Sequence, residues 1–222
     1  KQKITPSVVS TLPGIAGKVT TPAPESLKVA MPYADAKMYV IGVIPGQVAT
    51  KTLLLEPTTA DGFAVADAAR DIAKFAVVEK NRGTGRTAVG FLKDFGLTRG
   101  AVASSIAHDA HNFSCAGMDD ISMAAALKEL ASMGGGIVVA DGEKILARLE
   151  LPVGGLMSLL PLDELRARIK PLSEARDALG CTNSHAFMQL AFLSLSVIPE
   201  LKLTDQGYCD IIAGAMPLFA ER

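Results

Sequence analysis

A small, apolar segment that ends in a polar cluster constrains the fold more than any other part of this chain. Residues 101–107 read Ala-Val-Ala-Ser-Ser-Ile-Ala, which we interpret as a buried strand. The next five residues, 108–112, read His-Asp-Ala-His-Asn and contain two of the three histidines of the chain. Binding and catalytic groups are often held at the end of a rigid element. The sequence therefore predicts a candidate site where this buried strand ends.

The chemistry of residues 108–112 is open to three interpretations. His108, Asp109 and His111 could ligate a divalent metal, but residues i and i+3 of a strand lie on opposite faces, so their convergence requires a turn. The imidazoles could instead contact a heteroaromatic substrate or transfer a proton, since histidine titrates near neutral pH. The third interpretation is a buried polar cluster that ties strand ends together.

Composition restricts the classes of protein to which the chain can belong. Of its 222 residues, 49% are hydrophobic but only 5% are aromatic, so the core must consist mainly of aliphatic side chains. A net charge of −1 gives no basic field for nucleic acid or anionic lipid. The three cysteines are widely spaced, which indicates a reducing compartment rather than a disulfide framework. We therefore expect a cytoplasmic protein that binds neither nucleic acid nor a membrane.

The order of the predicted elements indicates an α+β fold. Residues 1–35 are rich in proline and predict an extended, loosely packed arm, and residues 36–222 predict a single domain. Strands and helices are mixed there without a regular βαβ alternation, which favours a mixed β-sheet with packed helices. The clearest hairpin joins strands at 137–140 and 144–151 through a two-residue Asp141-Gly142 turn.

The second half of the chain predicts helices in two further regions. Pro171 is expected to divide one region into separate helices at 162–170 and 172–179, because proline removes a backbone donor. Residues 187–195 are apolar on nearly every side and predict a buried helix.

Three glycine-containing segments are candidate ligand loops, and each has a structural alternative. Residues 81–86 read Asn-Arg-Gly-Thr-Gly-Arg and could hold an anion, although a surface turn is the favoured interpretation. Residues 134–136 are all glycine and are expected to stop a helix whose N-cap is Asp119 or Asp120. The paired glycines at 154–155 could line a pocket or allow tight packing.

Five segments in one order resemble the carboxy-terminal domain of adenine deaminase, of the bacterial and archaeal type in the amidohydrolase superfamily. These segments are residues 90–97, 100–112, 134–139, 151–158 and 197–205. The resemblance extends over roughly residues 37–219, and five ordered motifs make it far more specific than any single one.

The resemblance implies an enzyme of purine salvage that hydrolyses adenine to hypoxanthine and ammonia. In that family a (β/α)8 barrel precedes this domain and carries the ligands of a divalent metal, usually Mn or Fe, which activates the water that attacks C6 of the purine. No metal ligand is expected in this chain, so the chain alone is expected to be inactive. The implied partners are the barrel, adenine and further copies of the enzyme in a homo-oligomer.

The resemblance also implies roles for the residues of the polar cluster, which are expected to face the mouth of the barrel. His108, Asp109 and His111 are expected to support catalysis. Asn112 and Ser105 are expected to bind the substrate.

The chain departs from the family pattern near this cluster. Lys80-Asn81 stand where the family commonly has Arg-His, and Ala110 replaces a serine. A diverged deaminase for another aminopurine is therefore one alternative. A second is a noncatalytic assembly module that uses residues 187–195 and 154–155 as its interface, and a third is an independent metal hydrolase built on residues 108–111.

Overall fold

The computed structural model describes residues 19–220, and within these residues it contains three β-sheets and three α-helices. The strands are β1 (Val29–Ala30), β2 (Met38–Val43), β3 (Thr50–Leu55), β4 (Thr58–Ala60), β5 (Phe63–Val65), β6 (Ile72–Val78), β7 (Thr87–Lys93), β8 (Ala101–Ser104), β9 (Phe113–Gly117), β10 (Gly136–Asp141), β11 (Lys144–Glu150), β12 (Leu201–Thr204), β13 (Gly207–Asp210) and β14 (Gly214–Met216). The helices are α1 (Asp120–Ser132), α2 (Leu162–Ala178) and α3 (Ala186–Leu190).

An eight-stranded mixed sheet forms the centre of the domain, in the order β11-β10-β8-β9-β6-β7-β2-β3. Neighbouring strands are antiparallel except β2 and β7, which are parallel. Two smaller sheets, β1-β5-β4 and β12-β13-β14, accompany it. The predicted α+β class with a mixed sheet and packed helices is confirmed.

The two faces of the central sheet belong to different hydrophobic clusters, because successive side chains of a strand point to opposite faces. On β6, Phe75 and Val77 pack in the cluster that contains residues of α2, α3 and β12. Ala76 and Val78, between and beyond them, pack with the apolar face of α1. The aliphatic core predicted from composition is therefore divided into two layers by the sheet.

Helix α1 follows the capping and spacing expected from its sequence. The Asp119 carboxylate accepts a hydrogen bond from the Ser122 backbone N–H at 2.7 Å, which makes Asp119 the N-cap. Met123, Leu127 and Leu130 are completely buried on the face that packs against the sheet. The helix ends at Ser132, just before the glycines of residues 134–136, as predicted.

Helix α2 corrects the prediction of two helices separated at Pro171. It runs without interruption from Leu162 to Ala178. Pro171 has no N–H to donate to the carbonyl of Ala167. Because Ala167 is exposed, water can bond this carbonyl instead. Leu172 and Arg176 are buried just beyond the proline and hold the second half of the helix on the core.

Helix α3 is shorter than predicted, because carbonyl groups in the expected helix at 187–195 are bonded elsewhere. It ends at Leu190. The Ala191 carbonyl accepts from the His108 N–H at 2.9 Å, and the Leu193 carbonyl accepts from the Leu203 N–H at 3.1 Å. None of the helices within residues 19–220 has both the length and the apolar character needed to cross a membrane.

The predicted hairpin is present as β10 and β11, but its turn lies one residue further along the chain than expected. Asp141 pairs with Lys144, so the two loop residues are Gly142 and Glu143. Gly142 has φ of 58°, a left-handed conformation that glycine adopts without strain.

The predicted proline-rich arm is only partly within the described residues, since residues 1–18 lie outside them. The described part is packed rather than loose. Leu27 is completely buried, β1 pairs with β5, and the Leu27 carbonyl accepts from Lys74 Nζ at 2.8 Å. The domain boundary near residue 35 stays a prediction.

Candidate functional site

The polar cluster lies in a turn between two central strands, at one end of the large sheet. Strand β8 ends at Ser104 and β9 begins at Phe113. The His108 N–H donates to Ala191 near α3, and the His111 N–H donates to the Ala107 carbonyl at 2.7 Å. The turn is therefore held by backbone bonds on both sides, and the predicted placement of the cluster at the end of a buried strand is confirmed.

The two imidazoles of the turn lie edge to face. Their ring centroids are 6.2 Å apart at an interplanar angle of 61°, and His108 stacks on Phe192 with a centroid distance of 4.8 Å. His111 adopts φ of 51°, in the left-handed region where histidine is more common than most residues. Its buried Nδ1 atom has no hydrogen-bond partner among residues 19–220.

The independent metal site considered for His108, Asp109 and His111 is not formed. Within the part of the chain that the structure describes, no three His, Cys, Asp or Glu side chains are grouped so that they could hold a metal ion. A zinc-like site needs three or four ligands at about 2 Å from one point. His108 instead stacks on Phe192.

Asp109 is the most accessible charged group of the turn. It is exposed, and no hydrogen bond or ion pair engages its carboxylate in the described chain. It lines a cavity of about 280 Å³ together with Asn112, Ser194, Ser196 and the turn at 204–206. Drug-sized ligands occupy pockets of roughly 300–1,000 Å³, so this cavity suits a smaller molecule.

Asn112 is buried beside that cavity and is largely engaged by the domain itself. Its Oδ1 accepts from the Lys80 backbone N–H at 3.2 Å, and its Nδ2 donates to Asp205 Oδ1 at 3.1 Å. Asp205 Oδ2 in turn accepts from Arg86 Nε at 2.8 Å. Asn112 therefore fixes the β12–β13 turn against the site, and its predicted substrate contact stays a prediction.

Ser105 is completely buried and joins two glycine-rich segments. Its Oγ accepts from the Gly136 N–H at 2.7 Å and donates to the Gly155 carbonyl. The hydroxyl is thus used as donor and acceptor within the domain. The structure shows a positioning role for Ser105, and its predicted substrate contact stays a prediction.

Sequence reasoning missed Glu79, which organises the loop that follows β6. The Glu79 carboxylate accepts from the N–H groups of Asn81, Arg82 and Thr84 and from the Thr84 hydroxyl. Burial alone would raise the pKa of Glu79, but these hydrogen bonds lower it to about 2. The anion that the 81–86 loop was considered able to hold is therefore the chain's own carboxylate. The loop also reaches the site, since Asn81 Nδ2 donates to the Ala110 carbonyl at 2.7 Å.

Lys80, which in the sequence stood out only as a departure from the family pattern, also supports the site. Its side chain is buried, and Nζ donates to the Gly154 carbonyl at 3.0 Å. Burial lowers the pKa of Lys80, and no ion pair balances its charge among residues 19–220. Lys80 and Ser105 together hold the glycine pair at 154–155 close to the candidate site.

Comparison with known proteins identifies relatives over most of the chain. Residues 47–214 match the family described as the adenine deaminase C-terminal domain. An adenine deaminase of Oleidesulfovibrio alaskensis is 47% identical over 187 residues, which are 84% of this chain and 32% of that protein. Those of Cereibacter sphaeroides and Methanothrix thermoacetophila are 46% identical over 194 residues and 44% identical over 192 residues. These matches cover 87% and 86% of this chain and 34% of each relative, so the chain spans about a third of the length of these curated relatives.

Proposed function

Because this chain belongs to the family of adenine deaminase C-terminal domains, we propose that it works as the carboxy-terminal part of an enzyme that hydrolyses adenine to hypoxanthine and ammonia. The remaining two thirds of such an enzyme would be an amidohydrolase barrel that carries the divalent metal, Mn or Fe. In this proposal the turn at residues 108–112 faces the mouth of that barrel. The metal would lower the pKa of the attacking water.

One observation carries the proposed orientation: the turn at 108–112 holds an exposed carboxylate beside a buried ring nitrogen that has no hydrogen-bond partner among residues 19–220. Within the described residues 19–220, the Asp109 carboxylate is exposed and no protein group bonds it, and the buried His111 Nδ1 has no partner. Buried polar atoms without a partner are rare in a finished structure. A docked barrel with its purine would supply the missing partners.

The hydrolysis adds water at C6 of adenine and breaks the bond from C6 to the exocyclic nitrogen, which leaves as ammonia. Asp109 would accept a hydrogen bond from a purine N–H, since an ionised carboxylate offers only acceptors. The barrel or the purine would contact His111 Nδ1, which has no partner among residues 19–220, and this contact would hold the imidazole ring in place. Both side chains would orient the substrate, while bond breaking takes place in the barrel.

The test is a hybrid enzyme in which this chain replaces the matched third of the Oleidesulfovibrio adenine deaminase. The purified chain alone, assayed with adenine and added Mn, is expected to release no ammonia, and the hybrid is expected to release it. Asp109→Asn should lower kcat/KM of the hybrid by about ten- to a hundredfold, which corresponds to about 1.4–2.7 kcal/mol of transition-state binding.

Asp61→Asn is the matched control. Asp61 is also exposed and adopts φ of 51°, which asparagine tolerates well. Equal kcat/KM for the Asp109 variant and the unchanged hybrid would contradict the proposed role of the turn. Turnover by the isolated chain would contradict the need for a separate barrel.

A noncatalytic assembly module is the second candidate, and the exposure of Met188 on α3 is the observation that favours it. If it holds, Asp109→Asn leaves turnover intact and changes the oligomer size measured by sedimentation. The diverged deaminase for another aminopurine is tested by offering the hybrid other aminopurines. Purine salvage, a homo-oligomer and a cytoplasmic location stay predictions.

A further inference from the structure

Five exposed apolar side chains follow the glycine pair at 154–155 within residues 157–169. Met157 and Leu162 are 60% and 70% exposed, and Leu159 and Leu160 between them are also exposed. The region continues along α2 through the exposed Ile169, seven residues after Leu162 and therefore on the same side of the helix. Single exposed apolar residues are common, but a contiguous group marks an interaction site. We call this group the 157–169 surface.

The 157–169 surface begins on a loop that is held in place. The Gly154 carbonyl accepts from Lys80 Nζ and the Gly155 carbonyl accepts from Ser105 Oγ. Val153 and Met157 exchange two backbone hydrogen bonds, each at 3.2 Å. Because the loop is ordered before any partner arrives, binding through it costs little conformational entropy.

The same bonds make the surface continuous with the candidate site. Ser105 lies three residues before His108, and the backbone N–H of Lys80 donates to the Asn112 side chain. The turn at 108–112 and the loop that carries Met157 are therefore linked through two buried side chains, Ser105 and Lys80.

We propose that the 157–169 surface is the docking site of the domain that makes up the other two thirds of the longer relatives. This inference rests on the proposed function, since that domain is the proposed barrel. The length of the relatives supports this occupant: about two thirds of each lies outside the match, and the family is described as C-terminal. Charges of both signs on α2, including Asp163, Glu164 and Arg166, give the apolar group the polar rim typical of an interface.

Hydrogen exchange measured by mass spectrometry on the hybrid and on the free chain tests this inference. Amides in residues 156–169 should exchange at least about tenfold more slowly in the hybrid, because docking removes them from solvent. Met157→Glu and Leu162→Glu should abolish most of that protection. Ile121→Glu, on the exposed side of α1 and 51% exposed in the wild type, is the matched control and should leave it unchanged.

Equal exchange in the hybrid and the free chain would overturn the inference, as would equal loss of protection in the Ile121 variant. Protection that rises with the concentration of the free chain would assign the surface to a second copy of the chain, and it would also overturn the inference. The proposed function is tested separately, by the activity of the hybrid. A protected but inactive hybrid keeps the docking site and rejects the deaminase function, whereas an active but unprotected hybrid does the reverse.

Discussion

Helices α1 and α2 lie on opposite faces of one sheet. They differ in how many of their residues the domain buries and in whether a side chain caps the first turn. Helix α1 buries seven of its residues and has a side-chain N-cap, whereas α2 buries two and has none. Lys74 also bonds Asp120 at the start of α1, while the first half of α2 is almost entirely exposed. The α1 face is complete within the chain. The α2 face, with the candidate site beside it, leaves the apolar side chains of the 157–169 surface exposed.

The largest expected effect is a loss of stability on the face that α1 covers. Leu127→Ala removes a fully buried side chain from α1 and leaves a cavity beneath the helix, so the free energy of unfolding should fall by about 2–5 kcal/mol. Urea denaturation followed by circular dichroism measures this loss. A loss below about 1 kcal/mol would show that the α1 face is not tightly packed.

The next effect tests the order of the 81–86 loop, which contacts the candidate site through Asn81. Glu79→Gln removes a carboxylate whose pKa the structure lowers to about 2 from an ordinary 4.5. A lowered pKa stabilises the folded state above pH 4.5, and this contribution is lost as the pH falls from 4.5 towards 2. The variant should lose about 1–3 kcal/mol of unfolding free energy at pH 7 and much less at pH 3.

The control for this pH dependence is Glu174→Gln, which changes an exposed carboxylate on α2. Its unfolding free energy should follow that of the wild type at every pH. A constant difference between the Glu79 variant and the wild type from pH 7 to 3 would contradict the clamped-carboxylate description of the 81–86 loop.

A smaller effect tests the N-cap of α1, for which α2 has no side-chain counterpart. Asp119→Ala removes the acceptor for the Ser122 N–H and should cost about 0.5–2 kcal/mol of unfolding free energy. Thermal unfolding at pH 7 measures it. If Asp119→Asn, which keeps a good capping oxygen, loses as much as alanine, then capping is not the role of Asp119.

The smallest effect tests whether the exposed start of α2 contributes to the stability of the isolated chain. Leu162→Ala should change the unfolding free energy of the isolated chain by no more than about 0.5 kcal/mol, because Leu162 is mostly exposed. Urea denaturation run beside that of Leu127→Ala gives the comparison directly. A loss approaching that of Leu127→Ala would mean that Leu162 already packs within the chain.

Features that depend on neighbours in the sequence were predictable. The Asp119 cap, the β10–β11 hairpin and the stop at residues 134–136 follow from patterns spanning a few residues. The buried strand at 101–104 and the polar turn after it were also expected, although the predicted strand ran three residues too far, to residue 107.

The sequence by itself thus determined the fold class, the family and the position of the candidate site. Only the tertiary structure decided that α2 continues through Pro171, that α3 stops where Ala191 bonds His108, and that Glu79 fills the 81–86 loop. It also paired Asn112 with Asp205, 93 residues away in the chain. The physical reason is that capping and periodicity act over one or two turns of backbone, whereas these bonds join groups that meet only after distant segments have packed.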